Sequence, residues 1–194
     1  METTNMSKTR ILVEGALMVA LATVLSIFKF YEMPQGGSLT VMSMVPIVIM
    51  SYRHGLKWGT FTAFVYSAIQ LLLGLANVSY CKTLGAILIC IFFDYVIAFT
   101  VLGLAVLFAG AFAKLVHNKV VCAAFGMALV GLLRFVCHYI SGVTIWGQWA
   151  PEGTPVWIYS LGYNGPFMLA ETVIAIVGVV ILCSVKQLHV TDSL

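Results

Sequence analysis

The chain has 194 residues, of which 61% are hydrophobic and 9% charged, and its formal net charge is +3. A soluble domain carries about 25% charged residues, so a water-exposed globule is excluded and an integral membrane protein is left. The Lys and Arg residues are scattered rather than clustered, which gives no footprint for nucleic acid.

The apolar stretches are continuous rather than alternating, which predicts helices and not a transmembrane β-barrel. The expected class is all-α, integral to the membrane, with six transmembrane helices in a single domain over residues 1–194. Residues 1–9 are polar and read as frayed, and span 1 follows at residues 10–30. This first stretch is too long for a signal peptide, lacks a small-residue cleavage site and is followed by further spans. Ala16 and Ala20 lie one helical turn apart in it, a pair that admits close approach of another helix, either inside this protein or in a partner.

Residues 31–38 (YEMPQGGS) form a turn-rich loop. Span 2, residues 39–52, is short and contains Pro46, which predicts a kinked or tilted helix. Arg53, His54 and Lys57 make a basic loop before span 3 at residues 58–75. A polar connection at 76–83 leads to span 4 at 84–112, and Lys114, His117 and Lys119 form a second basic loop. Span 5 covers residues 120–142 and span 6 residues 158–185. Apart from the second, each is near the about 20 residues that cross a bilayer.

Lys8, Arg10, Arg53, Lys57, Lys114, Lys119 and Lys186 fall on one side of this arrangement, and only Lys29 and Lys82 on the other. The positive-inside rule then places both termini in the cytoplasm. The five cysteines, Cys81, Cys90, Cys122, Cys137 and Cys183, form no CxxC and mostly sit in apolar spans as small hydrophobes. Nothing in the chain calls for a cofactor or a metal.

Asp94 reads as the one carboxylate within the membrane, where a charge costs about 2.5–3.5 kcal/mol on insertion scales. Two readings explain its presence: a structural ion pair with Arg134, or a counter-charge for a bound cation. Tyr95 follows it directly, but neighbours on an α-helix point about 100° apart, so the two need not share a site. Arg134, His138 and Gly142 are spaced by four and share one face of span 5. Gly142 would let a flat ring approach the backbone, while His138 is either a ligand contact or a hydrogen-bonded packing residue.

The stretch HYISGVTIWGQWAPEGTPVWIYSLGYNG, from His138 onward, then joins span 5 to span 6 through an aromatic loop on the outer side. Trp149 and Trp157 suit an interfacial aromatic belt, and Trp146, nearest the histidine, suits stacking on a ligand. Tyr159 and Asn164 stand near the outer start of span 6, where the amide offers a donor and an acceptor. Aromatic faces with a buried carboxylate fit an outward-facing pocket for a small, flat, cationic solute.

Three motifs in order, VEGALMVALA, IFFDYVIAF and HYISGVTIWGQWAPEG followed by IYSLGYNG, resemble the thiamine-specific substrate-binding (S) components of energy-coupling factor (ECF) transporters. The resemblance covers nearly the whole chain. It implies ligand-site roles for Asp94, Tyr95, His138, Gly142, Trp146, Tyr159 and Asn164, and a partner-coupling role for Ala16 and Ala20. Asp94 stands where a family member has a glutamate. In the first loop Gly37 stands where that member has a ligand-covering tryptophan, so the role is not carried over, and Tyr31 is a substitute to test.

The implied partners are thiamine, a transmembrane ECF coupling protein, two ABC-type ATPases and the lipid bilayer. The chain has no GxxxxGK[ST] phosphate loop, in keeping with a binding subunit energised from outside. Three other readings stay open: an S component for another vitamin or a thiamine precursor, a membrane enzyme using His138 and Asp94 as acid and base, and a structural subunit whose polar residues only pack.

Overall fold

The computed structural model describes residues 7–34 and 36–185; the expected basic residue Lys186 lies outside them. Ser7 starts α1 (Lys8–Ile27) by accepting from the amide of Arg10, so the helix begins inside the stretch expected to fray. One stripe of α1, Gly15, Val19, Ala22 and Ser26, is buried. Ala16 and Ala20 are exposed, so the reading that pairs them with a helix of this same chain is overturned.

The chain leaves α1 three residues earlier than expected and becomes a hairpin. Strand β1 (Lys29–Glu32) pairs antiparallel with β2 (Ser38–Thr40), and Gly36 and Gly37, both at positive φ, lie in the turn. Span 2 therefore does not start as a helix. Residues 38–44 descend into the protein as a strand and turn, and α2 (Val45–Leu73) begins only then. Pro46 sits in the first turn of α2, where its missing amide has no helical partner to lose. The kink expected at Pro46 falls instead at Gly55, at φ 78° and ψ −176°. That conformation is open essentially to glycine alone.

Gly55 divides α2 into arms of different character. Every residue from Val45 to Tyr52 is buried, whereas the longer second arm exposes Phe61, Phe64, Leu72 and Leu73. The first arm, residues 45–54, is about 15 Å long, half the hydrocarbon thickness. Non-helical backbone at membrane depth is tolerated only where protein or a cavity encloses it, and the 38–44 entry meets that condition: Thr40, Ser43 and Met44 are buried and Ser38, Leu39, Val41 and Met42 are partly buried. Near the break, Glu14 of α1 pairs with Arg53 Nη1 at 2.7 Å and His54 Nε2 at 3.0 Å, tying the two elements together.

A short helix, α3 (Leu75–Val78), leads to α4 (Leu84–Phe112), whose N-cap Thr83 accepts from Ala86. Two departures from α geometry interrupt α4. Cys90–Ile97 is a π segment, and Val101–Leu104 is a 3₁₀ turn. At the 3₁₀ turn Ser51, from the enclosed arm of α2, donates to the Gly103 carbonyl at 2.8 Å and accepts from the Val106 amide at 3.1 Å. A side chain inserted into the backbone ladder accounts for the local tightening.

Asn118 caps α5 (Lys119–Thr144) through the amides of Val120 and Val121. A 3₁₀ turn at Trp146–Trp149 leads to α6 (Val156–Ser184). Among the described residues α1, α4, α5 and α6 are each long and apolar enough to cross a membrane. Their outward faces stay apolar, as lipid requires, and the first arm of α2 lies in the core, with Tyr52, Ile47, Val48 and Met50 fully enclosed.

Candidate ligand-binding site

Between the hairpin, α2, α4, α5 and α6 lies a cavity of about 590 Å³. Asp94, Tyr95, His138, Gly142, Trp146, Tyr159 and Asn164 all line it. The π segment carries Asp94 and Tyr95. Its wider turn rotates successive residues by less than an α-helix does, which lets adjacent positions reach the same cavity.

Three donors meet on Asp94. Ser141 Oγ donates to Oδ2 at 2.6 Å, Trp146 Nε1 donates to the same oxygen at 2.9 Å, and His138 Nδ1 lies 3.1 Å from Oδ1. A carboxylate accepts only, so Nδ1 carries the proton and Nε2 of a neutral imidazole is left as an acceptor. Nε2 is buried and has no hydrogen-bond partner. Tyr95 donates to the Gly74 carbonyl at 3.1 Å and accepts from Asn77 at 3.2 Å, so its hydroxyl is fixed to the end of α2.

The ion pair expected as one reading of Asp94 is not formed. Arg134 Nη1 instead pairs with Glu171 Oε2 at 3.0 Å and lies 3.0 Å from Met44 Sδ, while its guanidinium covers the Phe99 ring at 4.3 Å. Asp94 is thus not the one carboxylate within the membrane. Glu171, 2% exposed, is a second, held also by Thr40 Oγ1 at 2.7 Å. Sequence reasoning passed over it, although it stands seven residues after Asn164 on the same face of α6.

Gly142 does provide a close approach, but the groups that come close belong to α6. A Cβ there would meet Ser160 Oγ and would stand 2.9 Å from Asn164 Nδ2. Asn164 Nδ2 in turn donates to the carbonyls of Ser160 at 3.1 Å and His138 at 3.3 Å, so the amide locks α6 to α5 beside the cavity. Tyr159 packs on Tyr163 with ring centroids 5.8 Å apart.

The hairpin covers the cavity with Gly36, Gly37, Ser38 and Thr40 and with the ion pair of Lys29 and Glu32, 2.6 Å apart. Tyr163 donates to the Gly36 carbonyl at 2.9 Å, and Gly37 lies against Phe167. Tyr31, the suggested aromatic cover, is exposed and does not line the cavity. Trp149 and Trp157 are exposed and also lie outside it, and Trp149 meets Tyr80 edge to face. Cys81, in the connection before α4, is pushed up from its ordinary thiol pKa by burial and stays protonated.

Residues 12–190 match the family described as Thiamine transporter protein (Thia_YuaJ). The chain is 36% identical over 187 residues to the Thiamine transporter ThiT of Bacillus subtilis strain 168, covering 92% of each chain. It is 36% identical over 157 residues to that of Lacticaseibacillus paracasei, covering 77% of this chain and 76% of the relative. Among solved structures, ThiT from Listeria monocytogenes superposes with a TM-score of 0.73 at 24% identity, covering 94% of this chain and 98% of that one, which supports the fold.

Proposed function

The chain belongs to the thiamine transporter protein family, and on that premise we propose that it captures thiamine with high affinity from outside the cell and delivers it to an ATP-driven ECF coupling module. It is a bacterial membrane protein. Its curated relatives are named as transporters, and we read it as a binding subunit rather than an enzyme. In this reading one six-helix domain, counting the two arms of α2 separately, has both termini in the cytoplasm. A transmembrane coupling protein and two ABC-type ATPases supply the energy.

The observation that carries the ligand reading is the state of Asp94. It is a carboxylate facing a cavity, met by three donors, while the nearby arginine is committed to Glu171. A cationic ring in this cavity gains an uncancelled negative charge in a medium of low dielectric. Trp146 and His138 pack against the rings, while Tyr159 and Asn164 address the aminopyrimidine. Tyr95 and Gly142 complete the wall.

Intrinsic tryptophan fluorescence of the detergent-purified protein tests this. Thiamine is expected to quench it saturably at submicromolar concentration, and a folded Trp146→Ala variant is expected to lose the response. The ligand is expected to be recovered chemically unchanged. Response to another vitamin but not to thiamine would change the substrate, and an altered ligand would point to the enzyme.

A further inference from the structure

We propose that the floor of the cavity is a second recognition pole, built by Tyr66, Arg134 and Glu171, which takes the hydroxyl oxygen of the ligand's alcohol arm. This rests on the reading of thiamine as the ligand, a two-ring cation with an amine at one end and an alcohol at the other.

At this floor Nε of Arg134 is buried without a hydrogen-bond partner, and the hydroxyl of Tyr66 makes no well-formed hydrogen bond although the hydroxyls of Ser43 and Ser26 stand near it. Both residues line the same cavity as Asp94, and Tyr66 is fully enclosed. A buried polar group left unpaired costs about 1–3 kcal/mol, and native proteins keep few of them. Arg134 is otherwise well held by Glu171, Met44 and Phe99, so packing alone does not explain why its Nε–H stays unused.

The charges at this floor select the kind of partner. Glu171 uses Oε2 for Arg134 and Oε1 for Thr40, whose hydroxyl also meets Ser43 at 2.6 Å. The guanidinium charge is thereby matched, and a second cation finds no uncommitted carboxylate oxygen. An anion would have to compete with Glu171 for Arg134. Beside the neutral side chains of Ser26, Ser43 and Gln70, the floor then offers the Arg134 N–H donor and a phenol that both donates and accepts. That set suits a neutral alcohol, whose oxygen accepts from Nε and whose proton, or lone pair, meets the phenol.

The spacing agrees. Glu171 follows Asn164 by seven residues and Arg134 precedes Gly142 by eight. At 1.5 Å rise per residue, the floor lies about 10–12 Å along the helices from the Asn164 and Gly142 level. A two-ring ligand gripped at that level by its aminopyrimidine would extend its two-carbon arm toward Tyr66 and Arg134.

The test compares thiamine with an analogue carrying an ethyl group in place of the hydroxyethyl arm, titrated against the whole protein and against Tyr66→Phe. The variant keeps the ring that packs edge to face on Phe99 at 5.5 Å. The wild type is expected to prefer thiamine by about tenfold, the scale of one well-made buried hydrogen bond, and Tyr66→Phe to lose much of that preference. Equal binding of the two ligands by the wild type would overturn the second pole while leaving thiamine as the ligand. So would a Tyr66→Phe variant that weakens both ligands alike. Absence of thiamine binding by the wild type would overturn the pole together with the ligand reading.

Discussion

Asp94 takes its three donors from α5 and the turn that follows, while the carboxylate itself stands on α4. Replacing it with Asn keeps the size but removes the charge and puts an N–H₂ among donors. Asp94→Asn is therefore expected to weaken thiamine binding by about 1.5–3 kcal/mol, roughly ten- to a hundredfold, and to weaken an uncharged analogue less. Calorimetric titration of both ligands checks this, and equal losses would assign Asp94 to packing. At this scale the sequence made Asp94, His138 and Trp146 legible, because a charge or an indole in an apolar run stands out. Arg134 was visible too, but its partner was not. Whether α5 turns it toward Asp94 on α4 or Glu171 on α6 depends on rotation between helices, which the periodicity of one helix does not contain.

Among the elements, α2 differs most from its reading in sequence. The apolar run at 39–52 and the basic residues after it marked a change of direction near the right place. The entry through β2 and the single-residue break were not legible. Thr40 and Ser43 become buried only because Glu171, far along the chain, receives Thr40, and such a partner leaves no local signal. Pro46 was read as a kink since proline breaks helices, yet at the first turn it does not. Gly55→Ala is expected to destabilise the protein by about 1–3 kcal/mol, read as a lower melting temperature in detergent. No atom lies within 4 Å of the added Cβ, so the cost is one of backbone conformation alone. An unchanged melting temperature would mean that the break can relax.

For the molecule as a whole, the exposed Ala16 and Ala20 do not line the cavity and stand outside the buried stripe of α1. The Ala16→Leu and Ala20→Leu double variant is expected to bind thiamine within about 0.5 kcal/mol of the wild type, as surface changes usually do. Uptake of labelled thiamine by cells carrying it is expected to fall, since two added side chains would hold a coupling helix away. Uptake equal to wild type would reject the coupling face. The helical class and membrane placement were legible from composition, because a lipid-facing surface must be apolar along its full length. The cavity was legible only as a list of polar residues, since its shape comes from how five elements close around it.

The enclosed first arm of α2 bears on how the chain is made. A segment of about ten residues is too short to partition into a bilayer as an independent helix, and its whole surface from Val45 to Tyr52 is covered by protein. By length it is therefore not expected to enter the membrane as a separate helix, as α1 can. It must wait at the surface, or travel with the second arm as one hairpin, until α4 and α5 arrive to receive Ser51 and Tyr52. The final packing of this early segment thus depends on chain that is synthesised after it.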